Sequence, residues 1–164
     1  MGQDTYDLLR NNASYAQSFA KGDLPAAPAR RLAVVACMDA RIDVHRILGL
    51  QEGDAHVIRN AGGVLTEDVI RSLVISQRLL GTDKVFLVHH TECGLLDLSE
   101  DELKSEIEQE VGERPGFDFH AFSDLEDNMR TTIAQVASHP FLSPTDEVRG
   151  FIFDVRTGRL EEVT

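Results

Sequence analysis

Two stretches of this chain are apolar without a break, Leu32-Ala33-Val34-Val35-Ala36 and Val85-Phe86-Leu87-Val88. A strand with one face in water alternates apolar and polar residues. A strand with no polar positions is covered on both faces. Such strands sit inside a sheet with helices packed on both sides, which limits the chain to α/β architectures. The remaining segments fit that frame. Residues 4–20 carry Leu8, Leu9, Tyr15 and Phe19 at helical spacing, with Asp4 as a cap. A short helix over Asp43–Leu48 stops at Gly49. Thr66 caps a long helix through Leu80, with Glu67 and Asp68 suited to its dipole and Gly81 ending it. Ser99 with Glu102, and Ser123 with Glu126, form capping boxes for helices reaching about Val111 and Ser138.

Further strands are expected over Ala55–Arg59, Lys84–His90, Val148–Val155 and, after a Thr157-Gly158 turn, Arg159–Val163. Residues 21–30, 112–122 and 139–147 read as loops punctuated by proline or glycine. The predicted fold is a mostly parallel central sheet of about four strands flanked by helices, with a short antiparallel C-terminal strand. No repeat or linker divides the 164 residues, so the expectation is one domain over 1–164, with a helical arm near its N-terminus. The helix from Thr66 is apolar around more than one stripe. A helix of that kind is covered by the sheet and by something else, here a second subunit.

Each apolar run opens into reactive residues. The first is followed by Cys37-Met38-Asp39-Ala40-Arg41, the second by His89-His90-Thr91-Glu92-Cys93-Gly94. In open α/β sheets ligands bind outside the carboxyl ends of strands, where both clusters and the Asn60-Ala61-Gly62-Gly63 turn fall. Two thiolates and an imidazole make a tripod suited to Zn²⁺ with one position open. His89 and His90 both compete for the imidazole role. Neighbours on a strand point to opposite faces, so one meets the site and the other packs. The plainer reading is a pair of buried core cysteines.

A Zn²⁺ held by two thiolates and a neutral imidazole is formally neutral and polarises a bound water weakly. Asp39 can help as a hydrogen-bond acceptor, yet a carboxylate is also a good zinc ligand and would close the open position. Arg41 can hold that carboxylate off the metal in a bidentate pair. Opening would then follow pH, because hydroxide displaces a carboxylate better than water does.

The formal charge of -12 makes the chain a poor binder of phosphate backbones, and no stretch has the length of a membrane span. The segment Met1–Tyr6 lacks the basic and apolar regions of a signal peptide. The expected setting is the cytoplasm, where two cysteines serve metal or catalysis more than a disulfide.

The set Cys37-x-Asp39-x-Arg41, followed about fifty residues later by His90-x-x-Cys93-Gly94, resembles the β-class carbonic anhydrases, most nearly their compact bacterial and archaeal members. The resemblance implies reversible hydration of CO₂ to bicarbonate by zinc-bound hydroxide. It implies Cys37, His90 and Cys93 as zinc ligands and Asp39 with Arg41 as the catalytic dyad, Asp39 binding zinc only in a closed state. It also implies Gly62 and Gly63 beside the substrate pocket, and a dimer with the site near its interface. Two departures stand out. Ala40 replaces a serine found in many members, and the chain has no tryptophan for the bicarbonate pocket of the allosteric branch. Two other readings keep the same ligands: a CS₂ or COS hydrolase, and a non-enzymatic zinc module. A cysteine redox protein is weakened by the absence of Cys-x-x-Cys.

Overall fold

The computed structural model describes residues 2–145 and 147–164, and the apolar runs lie at the centre of its sheet. Strand β1, Leu32–Cys37, is buried at every position. It pairs in parallel with β2, Ala55–Asn60, on one side and with β3, Lys84–His90, on the other. Strand β4, Val148–Phe153, adds in parallel to β3, and β5, Leu160–Val163, closes the edge antiparallel to β4. The sheet order is β2-β1-β3-β4-β5. The chain runs outward from β1 to β2, then returns to place β3 on β1's other side. This reversal opens a crevice between the carboxyl ends of β1 and β3, the usual ligand position in such sheets.

Alternation divides the central side chains between two faces. Ala33, Val35, Val85 and Leu87 meet Val69 and Leu73 of helix α3, Glu67–Arg78, and Met129 and Val136 of helix α5, Leu125–Ser138. Leu32, Val34, Ala36 and Val88 form the other face with Ile42 and Leu50 from loops and Val44 from the short helix α2, Val44–Leu48. Helix α4, Glu100–Val111, has no buried residue and is held by polar side chains along it. Its first residue, Glu100, accepts the backbone N–H groups of Phe119 and Ala121 at 3.1 and 2.8 Å, which fixes the loop leading to Phe122.

Helix starts follow local hydrogen-bond chemistry. Thr66 accepts from the Val69 N–H and Ser99 from that of Glu102, as their spacing predicts. The start of α5 differs by one residue. Asp124, not Ser123, caps it by accepting the Asp127 N–H at 2.8 Å, and a carboxylate is the stronger acceptor. Asp4 does not cap the first helix, α1, which spans Gln3–Ser18 with Gly2 before it. Asp4 instead lies in the first turn, where its charge favours the helix dipole. Strand β4 stops at Phe153, two residues short of the expected Val155, because Asp154 accepts the N–H groups of Arg156 and Thr157 and turns the chain. The loop expected over 139–147 contains Asp146, which with Met1 lies outside the described residues.

Helix α1 buries none of its residues. Tyr6, Leu8 and Leu9 are 61%, 69% and 56% exposed, an apolar surface that the other described residues leave open. It is tied near its end, where the Tyr15 hydroxyl donates to Glu52 at 2.6 Å. Ile75 and Leu79, on and just past α3, are also open to solvent. Among the described residues no helix is long and apolar enough to cross a membrane.

Candidate metal centre

Cys37 ends β1 and His90 ends β3, on the two sides of the crevice, and Cys93 follows one turn later. All three are buried, and their ligand atoms lie within 4.8 Å of one another. The His90 Nδ1–H donates to the Thr91 carbonyl at 2.8 Å, which leaves the Nε2 lone pair directed away from that bond. Nε2 is buried without a hydrogen-bond partner. A buried, unpartnered imidazole nitrogen beside two thiols is the donor set of a zinc site with three protein ligands, so these residues fit the ion.

Electrostatics agree. The Cys37 thiol is drawn well below its ordinary range, first by a hydrogen bond from the Cys93 thiol; burial opposes this, while His90 and the backbone N–H groups of Asp39 and Gly62 assist. Cys93 moves up because its proton is shared with Cys37 and because it is buried. Without metal the two sulfurs share a proton, which zinc must displace. Burial alone would lower His90, but the Cys37 thiolate, the Thr91 carbonyl and the Asp39 charge together raise it.

Asp39 lies at the open side of this tripod, its Oδ2 3.9 Å from His90 Nε2. Arg41 holds it in a fork. Nε reaches Oδ1 at 2.9 Å, Nη2 reaches Oδ2 at 2.7 Å, and the Arg41 backbone N–H adds a bond at 2.8 Å. The guanidinium and that N–H keep the Asp39 carboxyl far below the usual carboxylate range. Asp39 thus stands turned to Arg41.

The glycine turn supplies backbone to the same place. Gly63 has φ +66°, and a Cβ there would come within 2.8 Å of the Cys37 nitrogen and 2.9 Å of the Ala36 carbonyl carbon. Only glycine lets the turn lie this close to the end of β1. Gly62, at φ +78°, is closed in by Leu95.

His89 takes the other face of β3. It is fully buried and stacks on Phe122 with ring planes 6° apart. Neither of its nitrogens has a hydrogen-bond partner, and burial lowers its pKa to about 4. In the unfolded chain the ring takes a proton near pH 6.5, so below that pH the unfolded state binds more protons than the native one. The stability this ring allows is complete above pH 6.5 and is lost as pH falls toward 4, by about 3 kcal/mol. Urea unfolding at pH 7 and pH 4.5 should show this loss in the wild type and a much smaller loss in His89→Leu.

One contributor escaped the sequence reading. Arg59, at the end of β2, donates through Nε to the Cys37 carbonyl at 3.0 Å and through Nη2 to the Asp39 carbonyl at 2.7 Å. It fixes the backbone that carries both side chains. A cation next to the apolar pair Val57-Ile58, near the carboxyl end of a strand, was the available signal.

The sequence profile of the carbonic anhydrase family matches residues 32–160. A curated relative, β-carbonic anhydrase 1 of Mycobacterium tuberculosis, is 51% identical over 160 residues, 98% of each chain. The chain belongs to the β-carbonic anhydrase family. As a carbonic anhydrase it is an enzyme of the lyase class. The fold agrees: a carbonic anhydrase from Streptococcus mutans superposes with a TM-score of 0.93 at 38% identity, covering 100% of this chain and 99% of the other. A carbon disulfide hydrolase of Acidithiobacillus thiooxidans is 31% identical over 151 residues, 80% of this chain and 76% of that protein.

Proposed function

We propose that this carbonic anhydrase hydrates CO₂ reversibly at a zinc ion held by Cys37, His90 and Cys93, with Asp39 and Arg41 as its catalytic dyad. The observation that carries the reading is the buried tripod whose one open side faces a carboxylate already restrained by a guanidinium. Zinc, when bound, supplies a Lewis acid that makes water a nucleophile near neutral pH. The Thr91 carbonyl holds His90 in the tautomer that offers Nε2. Asp39 stays ionised and accepts a hydrogen bond from the water at the open side, orienting its oxygen toward CO₂. With its pKa held so low, Asp39 is an orienting acceptor and a poor store for the proton, which leaves to solvent. Arg41 keeps the carboxylate from taking the open side itself; if Arg41 releases it, Asp39 closes the site. Gly62 and Gly63 shape the wall of the CO₂ pocket with backbone alone.

Residues 1–164 act as one catalytic unit, with α1 as an arm that lies across a second copy of the chain. The exposed Tyr6, Leu8 and Leu9 of α1, and Ile75 and Leu79, are the surfaces that copy would cover. Sedimentation at micromolar concentration should give a dimer, and a stable monomer would end this part of the proposal. The two unpaired thiols suit the reducing cytoplasm.

The deciding assay offers the zinc-loaded enzyme CO₂, CS₂ and COS separately. Rapid CO₂ hydration with little sulfide release is the expected result. Sulfide release exceeding hydration would transfer the same residues to the hydrolase reading, and inactivity on all three would favour a non-enzymatic zinc module.

A further inference from the structure

The fork between Arg41 and Asp39 uses only part of the guanidinium. Arg41 Nη1 also donates to Glu92 Oε2 at 3.2 Å, and Nη2 reaches the Glu92 backbone carbonyl at 3.3 Å. Glu92 sits between the two candidate ligands of β3 and the loop after it, next to Cys93. Its backbone lies in the left-handed region, φ +58°, which a non-glycine residue adopts at a cost. In that conformation its carboxylate and its own carbonyl meet the same guanidinium. Its second carboxylate oxygen is bound in turn by Nε and Nη2 of Arg156.

Arg156 is not on a loose segment. Asp154 accepts the Arg156 and Thr157 N–H groups at 2.7 and 3.1 Å. The turn is also tied to the segment of Glu92. Thr91 N–H donates to the Phe153 carbonyl at 3.0 Å, and the Val155 N–H donates to Thr91 Oγ1 at 3.1 Å. Charges alternate along the row Arg156, Glu92, Arg41, Asp39. Each inner member is held from both sides.

We propose that Glu92, braced by Arg156, is a positioning residue that fixes the orientation of Arg41 and so sets how firmly Asp39 is kept off the open side of the tripod. This rests on the reading of Asp39 and Arg41 given above. Glu92 touches neither substrate nor reacting atoms. It acts through Arg41, whose flexible stem would otherwise let the fork rotate. These side chains are partly exposed, Arg156 by 80%, so Glu92 adds little to folding stability. Its effect is on the geometry of one guanidinium.

The test uses zinc-loaded enzyme and two readouts: turnover, and exchange of the Arg41 Nε–H with water measured by nitrogen-15 NMR. Glu92→Gln should keep full zinc and an unchanged melting temperature. It should lower kcat about fivefold, the scale of one partly exposed ion pair, with KM unchanged, and speed Nε–H exchange. Arg156→Gln should move both readouts the same way by about half as much on a logarithmic scale. In an Arg41→Ala background, Glu92→Gln should change nothing further. An unaltered Nε–H exchange rate, the same fold loss in the Arg41→Ala background, or loss of zinc from Glu92→Gln would each overturn the proposal. The last would make Glu92 a support of the ligand loop. Faster Arg41 Nε–H exchange in Glu92→Gln, together with wild-type turnover in both Glu92→Gln and Arg41→Ala, would overturn the dyad reading and leave the restraint of Arg41 standing.

Discussion

Cys93→Ser should yield a folded, zinc-poor protein with almost no CO₂ hydration. Serine has nearly the shape of cysteine, and Cys93 lies in the loop after β3, so burial and sheet pairing survive the change. The chemistry does not survive. A thiol gives up its proton to a metal near neutral pH, while an alcohol remains neutral and is a far weaker ligand. Removing partners behind metal ligands costs 10–100-fold, and losing one of three direct ligands should cost more, on the order of a thousandfold or greater. Metal analysis after dialysis should find about one zinc per chain in the wild type and nearly none in the variant, with unchanged circular dichroism. Full zinc retention would remove Cys93 from the ligand set.

Asp39→Asn should keep its zinc and lose activity on the order of a hundredfold, the scale of a positioned proton-handling group. The amide is a poor zinc ligand, so the site stays open, but its N–H₂ end cannot accept from water, and its pairing with Arg41 loses the charge and one of its two accepting oxygens. Arg41→Ala separates the two roles of the carboxylate. Freed from the fork, Asp39 is only 3.9 Å from the tripod's imidazole nitrogen and competes for the open side. Hydroxide displaces it better than water does, so activity should be low at neutral pH and recover as pH rises. The Arg41→Ala profile should therefore be displaced to higher pH with zinc content unchanged. A wild-type rate and profile in Arg41→Ala would end the argument for the dyad.

The centre of the fold was legible because burial on both faces leaves so few alternatives. The unbroken apolar runs identify β1 and β3, and their ends locate Cys37 and His90. Strand alternation says only that one of His89 and His90 meets the site; the spacing of the family motif picks His90, and the structure groups His90 with the cysteines and stacks His89 on Phe122. What escaped depends on contacts between distant segments. Arg59 and Glu92 look like surface charges in sequence, and their partners lie 20 and 51 residues away. The α5 cap slipped from Ser123 to Asp124 because two competent acceptors stand side by side. For α1, periodicity announces an apolar face but is silent on whether its cover comes from the same chain.

The crossing from β1 to β3 also has a consequence for how the protein is made. Cys37 leaves the ribosome 53 residues ahead of His90, a delay of roughly 3–10 s at ordinary synthesis rates. In that interval the residues of β1, α2 and β2 have been synthesised, but Cys37 has neither His90 and Cys93 nor the neighbouring strand β3 beside it. In the finished chain it is only 5% exposed. The nascent protein should therefore pass through a window in which Cys37 is an ordinary accessible thiol. A stalled chain ending before Lys84 should react with a thiol reagent at Cys37, and the completed chain should resist it. Equal protection in both would show that β1 is already covered before β3 arrives.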